Sequence, residues 1–423
     1  MFYNNSIIII VYFKLLIFLV ILVFFNSCYK EENVFSEDIL TLNFYMTIDQ
    51  ENSIYSARGK KFEIDNPKPV LDFNNSEYKL NKFSLRGHTA LNYKRKSYSV
   101  SIEIPLTLYN TNINRNAYSL REFKLLALAT DYTYIENRIS FGLLNLLDIQ
   151  PLFFKFVEVR INNNTQGIYL LIEDPEEYVI DKKGCDYILR RDYYGIISNS
   201  EYFPYNYEYS EEEYKNQFKS LYNYIVQFEG KELYDSLNKY LDLNNYFQKM
   251  AFDYLIMNGD YTDEIYFYAI NRENNIYYDI IPWDYDDIFA DLPHEIGKEW
   301  GTGKKFGERR YNSLNDVYAD IGNKLIFSIE EDIDYKIAKD TFLYVKYIEQ
   351  LKKVLDITNN NNIDKVFNET LSELTPYYNN EIIIEQSKYD LDVTNYNIFL
   401  NNINEKREFL KNRRNEIIKE ISK

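Results

Sequence analysis

Three aspartates gathered within four residues are the part of this sequence best suited to chemistry. Asp284, Asp286 and Asp287 follow an apolar and aromatic run at residues 277–281. An extended segment turns every second side chain to the same face, so Asp284 and Asp286 would lie side by side. Their mutual repulsion would be offset by a hard divalent cation such as Mg²⁺, which takes one or two carboxylates together with phosphate oxygens. The pattern therefore indicates a phosphoryl-transfer centre.

The same spacing also fits an ordinary solvated turn, because Asp-rich turns after strands are common. A second acid with two interpretations is Asp260, which closes the sequence Asn258-Gly259-Asp260 about two dozen residues before the cluster. In a catalytic loop this aspartate would orient a reacting hydroxyl, whereas in a surface turn it would only bond to the backbone. Spacing alone leaves both interpretations open.

Four blocks of sequence follow one another in an order that suggests a known family. They are residues 85–98, residues 161–173, Asn258-Gly259-Asp260 and Trp283-Asp284-Tyr285-Asp286. In turn they resemble four segments of the CotH kinase family, the atypical protein kinases similar to spore coat protein H. The first family segment contains Arg-Gly-Asn-Thr-Ser followed by Lys-Lys-Ser-Tyr, and the second contains Ile-Asn-Gly, then Gly-Val-Tyr, then Glu. The third is the catalytic-loop block, and the fourth is Trp-Asp-Leu-Asp. The resemblance spans about residues 80 to 290, which is most of the chain after its first 28 residues.

The resemblance implies a fold and an activity. The expected fold is α+β, an atypical protein-kinase-like two-lobed fold with a β-rich N-terminal lobe and a mainly helical C-terminal lobe. The expected activity is transfer of phosphate from ATP, with Mg²⁺ or Mn²⁺, to Ser or Thr of a protein substrate. A catalytically inactive cell-surface binding or adhesion lipoprotein of the same fold stays open as the alternative. Ile265 bears on that choice, because it stands five residues after Asp260 where the family often has a metal-binding Asn.

The resemblance also assigns roles to individual residues. Asp284 and Asp286 would bind the metal, and Asp260 would be the catalytic-loop aspartate. Lys96 would contact the phosphates and take part in catalysis, and Arg86 would be a second cation of the nucleotide site. The alternative for both cations is a solvated strand face.

Two glutamates complete the set of candidates. Glu173 would end the hinge strand beside the adenine, or else be a structural residue. Glu136, on the first predicted helix, could pair with Lys96 or with a local partner three residues away.

Length and composition allow a two-lobed protein, and the net charge argues against one class of partner. The chain has 423 residues, 46% of them hydrophobic, which is enough for two lobes with substantial cores. Its formal net charge of −17 argues against binding to nucleic acid, because no basic stripe is present to displace counterions from phosphates.

The N-terminal residues resemble a bacterial lipoprotein signal peptide. Residues 7–25 are almost wholly apolar apart from Lys14, and they lead to Asn26-Ser27-Cys28. This pattern predicts lipidation at Cys28 and a membrane-anchored lipoprotein facing the periplasm or the cell surface. An uncleaved membrane anchor and ordinary secretion are the alternatives. Cys185 would then be an unpaired, buried and inert thiol.

The remaining chain divides into two predicted lobes. After a signal peptide at residues 1–28 and a tether at 29–39, a β-rich N-lobe would occupy residues 40–180. It would contain one helix at residues 131–147, capped by Asp131, and two strands between residues 153 and 173 around an Asn-rich turn.

A helical C-lobe carrying the acidic site would occupy residues 181–423. Its predicted elements are helices at residues 211–228 and 243–257, a hairpin at residues 265–281, and several amphipathic helices after residue 312. The Asn-rich segment at residues 358–362 would be a surface loop between two of these helices.

Overall fold

The computed structural model describes residues 39–87, 89–109, 117–191, 195–203, 208–261, 265–290, 322, 324–329, 331–388 and 396–423. The predicted signal peptide and Cys28 lie outside these ranges, as does nearly all of the predicted tether. Within the described ranges, no helix has both the length and the apolar character that a membrane span requires.

The first part of the described chain is a sheet that closes into a barrel. Its strands are ordered β1-β2-β3-β4-β5-β7-β6, and β6 runs parallel to β1 to complete the circle. Inward-facing apolar side chains of all these strands form one core. The elements are β1 (Thr41–Tyr45), α1 (Ile48–Ser56), β2 (Val70–Phe73), β3 (Ser76–Arg86), a 3-10 helix (Thr89–Asn92), β4 (Ser97–Tyr109), β5 (Ala117–Leu126), α2 (Glu136–Leu147), β6 (Phe154–Ile161) and β7 (Asn164–Glu173).

The second part is mainly helical and has its own core. The elements are α3 (Pro175–Lys183), β8 (Tyr187–Arg191), β9 (Ile197–Tyr202), α4 (Glu211–Gln227), α5 (Gly230–Asn238), α6 (Leu243–Ile256), β10 (Ile265–Arg272), β11 (Asn275–Ile281), α7 (Asp332–Lys339), α8 (Thr341–Ile357), α9 (Asn360–Tyr378), α10 (Glu381–Ser387) and α11 (Tyr396–Ile421). The four strands form a separate sheet in the order β11-β10-β8-β9. The expectation of an α+β chain, β-rich before it is helical, is therefore confirmed.

Tight turns fix the register of three hairpins. A two-residue hairpin turn needs left-handed backbone at both positions, which Asn tolerates better than most residues. The turn residues with positive φ are Asn74 and Asn75, Asn162 and Asn163, and Glu273 and Asn274. The last of these turns joins β10 to β11, so it sets which residues of β11 lead into the aspartate cluster.

Late helices pack back onto the barrel. Glu373 on α9 forms an ion pair with Arg138 on α2, with Oε2 2.9 Å from Nη2, and its Oε1 accepts the N–H of Phe156 on β6 at 2.5 Å. Tyr377 donates its hydroxyl to the Phe156 carbonyl at 2.7 Å, and the Ser387 hydroxyl accepts a main-chain N–H of β7 at 2.8 Å. The two parts of the chain are thus joined by buried polar contacts as well as by apolar packing.

Several boundaries differ from the sequence-based expectation for local reasons. The predicted helix at residues 131–147 begins only at Glu136, because the Asp131 carboxylate accepts the N–H groups of Thr133 and Glu136 and holds a turn ahead of it. The predicted Asn-rich loop is wrong for its last three residues. Asn359 caps α9, and the asparagines that follow form its first turn.

Two other expectations for this part of the chain are met. The hairpin predicted at residues 265–281 is present as β10 and β11. Cys185 is buried, and burial raises the pKa of its thiol to about 12, so the thiolate is disfavoured at neutral pH.

Candidate functional site

The aspartate cluster lies on the segment that follows β11, here called the acidic loop, Trp283–Asp287. Asp284 has a φ of +59°, in the left-handed region that non-glycine residues adopt rarely. Trp283 and Tyr285 are buried, whereas Asp284 and Asp286 are half-buried. The predicted alternation is therefore present, with the aromatic side chains inward and the two carboxylates together on the other side.

Tyr285 anchors the acidic loop between two helices. Its ring contacts Phe141 on α2 and Phe252 on α6, with ring centroids 5.7 Å away in each case. Its main-chain N–H donates to the Asn137 Oδ1 atom of α2 at 3.3 Å. The position of the neighbouring carboxylates therefore depends on how α2 is held.

The turn at Asn258-Gly259-Asp260, here called the Asn-Gly-Asp turn, follows directly after α6. Met257 ends the helix with a φ of +55°. The Asn258 side chain donates to Asp253 on α6 at 3.4 Å and accepts the Asp260 N–H at 3.2 Å. The Lys249 Nζ atom lies 2.6 Å from the Oδ2 atom of the same Asp253. A buried ion pair thus supports the residue that shapes the turn before Asp260.

Main-chain hydrogen bonds join the Asn-Gly-Asp turn to the acidic loop. The Gly259 N–H donates to the Asp287 carbonyl at 2.8 Å. Just beyond, the N–H groups of Phe289 and Ala290 donate to the carbonyls of Ile256 and Met257 at 2.9 and 3.1 Å. This short ladder brings Asp260 to the side of the acidic loop that carries Asp284 and Asp286.

Two of these acids, Asp284 and Asp286, have raised pKa values. Burial first, and then the negative charges of Asp286 and Asp260, raise the pKa of Asp284 well above its usual value. Burial and the charge of Asp260 raise the pKa of Asp286 to about 6, against a hydrogen bond from Asp284 that lowers it. Proximity of like charges disfavours ionisation of the pair. A cation placed between these carboxylates would remove that penalty.

Arg86, on β3 of the barrel, lies beside the acidic loop. Its guanidinium carbon lies 5.1 Å from the centroid of the Trp283 ring, a cation–π contact. Its charge also lowers the pKa of Asp284 against the larger effects that raise it. The structure therefore brings together four predicted site residues: Arg86, Asp260, Asp284 and Asp286.

The donor set suits a hard cation held by few protein ligands. Among the described residues, no group of three or more His, Cys, Asp or Glu side chains has the arrangement of a metal centre. Asp284 and Asp286 offer oxygen donors only, and Mg²⁺ commonly uses one or two carboxylates and completes its shell with water and phosphate. Ile265, where the family often has a second metal-binding residue, is buried at the start of β10.

The described contacts of the Lys96 ammonium are with main-chain carbonyl groups. Lys96 lies just before β4, only 2% of its surface is exposed, and its Nζ donates to the Leu91 carbonyl at 2.6 Å and to the Tyr93 carbonyl. The ammonium thereby binds the end of the 3-10 helix. Lys96 is not among the main influences on the pKa of Asp284 or Asp286.

The structure also shows the contacts of the two predicted glutamates. Glu173 is the last residue of β7, as predicted, and its carboxylate accepts the Phe153 N–H at 3.0 Å. Glu136, at the start of α2, forms its ion pair with Lys406 on α11. Burial, and then the charge of Asp131, raise the pKa of Glu136, whereas the charge of Lys406 lowers it and favours the ionised pair.

Sequence reasoning missed Lys124. This residue lies on β5, the strand that precedes α2, and its Nζ is 2.9 Å from Asp174 and 3.9 Å from Glu176 at the start of α3. Burial raises the pKa of Glu176, and the charges of both Lys124 and Arg86 oppose that rise, so the two cations share an electrostatic neighbourhood. The alternation of apolar and charged residues just before the first helix was the available signal.

Comparison with known proteins identifies the family of the chain. The chain is similar to the inner spore coat protein H of Bacillus subtilis (strain 168), at 23% identity over 237 residues. That alignment covers 52% of this chain and 62% of the relative, less than two thirds of its length. The family model described as CotH kinase protein matches residues 83–417, which include every element of the candidate site. The chain therefore belongs to the CotH kinase protein family.

Proposed function

We propose that this protein is an atypical protein kinase, with an active site in a cleft of a two-lobed kinase-like fold. It would transfer phosphate from a nucleoside triphosphate to Ser or Thr of a protein substrate. The observation that carries the proposal is the constellation of Asp260, Asp284 and Asp286 beside Arg86, in a member of the CotH kinase family. Phosphoryl transfer requires charge neutralisation and alignment rather than covalent work by the protein, and these residues supply both.

Asp284 and Asp286 would hold Mg²⁺ or Mn²⁺, which supplies charge neutralisation on the phosphates when it is bound. Asp260 would accept a hydrogen bond from the acceptor hydroxyl and orient it. The hydroxyl oxygen forms a new bond to the γ-phosphorus as the bond between that phosphorus and the β,γ-bridging oxygen breaks. The nucleoside diphosphate leaves with the electron pair, and the hydroxyl proton passes to Asp260 and then to solvent.

Basic side chains would bind the phosphates of the nucleotide. Arg86 would lie against the phosphates from the barrel side. In ordinary protein kinases the phosphate-binding lysine is on the strand that precedes the glutamate-bearing helix, and Lys124 occupies that position ahead of α2. Lys96 stays a candidate for the same role, and paired variants separate the two.

Phosphate transfer tests the proposal directly. The full-length protein is incubated with γ-labelled ATP, Mg²⁺ or Mn²⁺ and a Ser-rich protein. We expect label on Ser or Thr, a fall of about 10²- to 10⁴-fold for Asp260→Asn, and background labelling for Asp284→Asn. Lys124→Met should lower the rate by about 10-fold or more, as expected for loss of a hydrogen bond to a charged group. Lys96 keeps its predicted role only if Lys96→Met slows transfer without lowering the thermal midpoint.

A binding measurement separates this function from its alternative. At about one hundred times its dissociation constant, a bound Mg-nucleotide adds about 2.7 kcal/mol to the free energy of unfolding. A thermal shift without any transfer would identify an inactive nucleotide-binding member of the family. Neither shift nor transfer with any nucleotide and either metal would contradict the kinase proposal and favour a binding or adhesion role.

A further inference from the structure

Glu136 receives its cation from the far end of the chain. Its partner Lys406 lies on α11, 270 residues later, and the two side chains are only 10% and 12% exposed. The Lys406 Nζ also donates to the Thr133 hydroxyl at 3.1 Å and is 3.9 Å from Asp131. One ammonium therefore binds the side chains that form the start of α2.

The same face of α11 reaches two further segments of the site. Phe409 and Arg413 follow Lys406 by three and seven residues, which places all three side chains on one side of a helix. The Phe409 ring contacts the Phe289 ring, with centroids 5.6 Å apart, just after the acidic loop. The Arg413 Nε donates to the carbonyl of Leu255 at 3.0 Å, in the last turn of α6.

Each of these segments leads directly to a residue of the proposed active site. The start of α2 carries Asn137, which accepts the N–H of Tyr285 between the two metal-binding aspartates. Phe289 lies on the ladder that joins the acidic loop to α6, and the end of α6 leads into the Asn-Gly-Asp turn. The face of α11 formed by Lys406, Phe409 and Arg413 thus contacts these three segments beside the aspartates.

We propose that Lys406 is a positioning residue for phosphoryl transfer, an inference that rests on the proposed kinase function. In ordinary protein kinases, activity requires that a strand lysine pair with the glutamate of the adjacent helix. Here the glutamate-bearing helix is held instead by a lysine of α11. The ion pair keeps α2 in register with the acidic loop, and through Asn137 it fixes the separation of Asp284 and Asp286 from Asp260.

Kinetics of matched variants test this role. In the full-length protein, Lys406→Met should lower kcat about 10- to 100-fold, since small displacements of reacting groups cost that much, and should leave the KM for the nucleotide within about threefold. Lys406→Arg keeps the charge and should recover most of the loss. Lys411→Met is the control, because Lys411 is on the same helix but pairs with Asp364 at 2.6 Å and Glu408 at 3.1 Å, away from α2.

Hydrogen exchange gives a readout that does not depend on activity. In Lys406→Met the amides of Gly259 and Tyr285 should exchange faster than in the wild type, while those of the barrel strands should not change. If Lys406→Met does not fold, Lys406→Gln, which can still donate to Glu136, serves as the second variant and should show the same pattern to a smaller degree.

The outcomes distinguish the two proposals. A wild type that transfers phosphate, with Lys406→Met retaining its kcat within about twofold and its exchange unchanged, would overturn the role of Lys406 and leave the kinase function intact. A wild type without transfer would defeat the kinase function, and the exchange pattern would still decide whether Lys406 positions the acidic loop. A fall in kcat equal for Lys406→Met and Lys411→Met would also count against the inference, because it would mark a general loss of stability.

Discussion

Gly259 and Asp287 approach so closely that a Cβ atom on Gly259 would lie 1.9 Å from the Asp287 Oδ2 atom and 3.0 Å from the Ala290 Cβ. A side chain at this position would force the Asp287 carboxylate aside, so the glycine lets the Asn-Gly-Asp turn pack against the acidic loop at this distance. The glycine is therefore required by the geometry of the site and not by its own backbone angles. Its place between Asn258 and Asp260 makes it a sensitive point for testing the site.

Gly259→Ala should disable the site more than it destabilises the fold. We expect a loss of about 1–3 kcal/mol in the free energy of unfolding from overpacking, and a fall in phosphate transfer of about 100-fold from displacement of Asp260. Gly230→Ala is the matched control. It has room for a Cβ and strains only a φ of +58°, so it should cost about 1–2 kcal/mol and keep activity. Equal activity of the two variants would contradict the prediction.

The ion pair of Glu373 with Arg138 should be a main support of the contact between α9 and α2. Both side chains are at most 7% exposed, so Glu373→Gln leaves a buried guanidinium without its charge partner. We expect a loss of about 3–5 kcal/mol in the free energy of unfolding, measured in urea. Breaking the exposed pair of Lys231 with Asp235 by Asp235→Asn should cost less than about 1 kcal/mol. A small effect for both would mean that α9 is held by its other contacts, such as the hydrogen bond of Tyr377 to the Phe156 carbonyl.

Asp279 on β11 should make stability depend on pH. Burial, and then the charge of Asp242, raise its pKa to about 6. The folded state binds this proton more tightly than the unfolded chain does. Its stabilising contribution is therefore complete below about pH 4 and is lost as the pH rises through about 6, a change of about 1–3 kcal/mol.

Asp279→Asn should remove that component. The side chain can still accept from Asn245 and Tyr268, its partners at 2.9 and 3.0 Å. Unfolding free energies at pH 5 and pH 8 should therefore differ less for the variant than for the wild type. Subtracting the two curves cancels the other acids that titrate in this window, and parallel curves would show that Asp279 does not titrate there.

Cys28 should carry a lipid in the protein made by a bacterial host. Metabolic labelling with a palmitate analogue is expected to label the wild type and not Cys28→Ser, and the variant should appear in the soluble fraction. Label on neither protein, with both in the membrane pellet, would favour an uncleaved anchor. Label on neither, with both released, would favour ordinary secretion.

Short segments of sequence singled out the three aspartates of the candidate site. The alternation of Asp284 and Asp286 pointed to a metal site, the family resemblance pointed to Asp260, and the structure brings all three together. The hairpin that leads to the acidic loop was also predictable, because a compact turn between two apolar runs has few alternatives.

The partners of the ionisable groups could not be predicted from the sequence. Lys96 has the type and motif of a phosphate-binding residue, and its ammonium donates to the carbonyls of Leu91 and Tyr93, in and just after the 3-10 helix. The pairing of Glu136 with Lys406 joins elements 270 residues apart, and no periodicity of either helix encodes it. Lys124 was overlooked because its strand was not predicted. Sequence patterns thus identify the ionisable residues, whereas the tertiary structure determines which of them form pairs.

The closure of the barrel has a mechanical consequence. β1 is bonded on both sides, to β2 through pairs such as Asn43 with Asp72 and to β6 through pairs such as Thr41 with Glu158. Tension that enters the described chain at Ile39 meets this strand first and is divided between two ladders. In a protein tethered by its leading end, a pull on the tether would thus be shared between two strand pairings of the barrel.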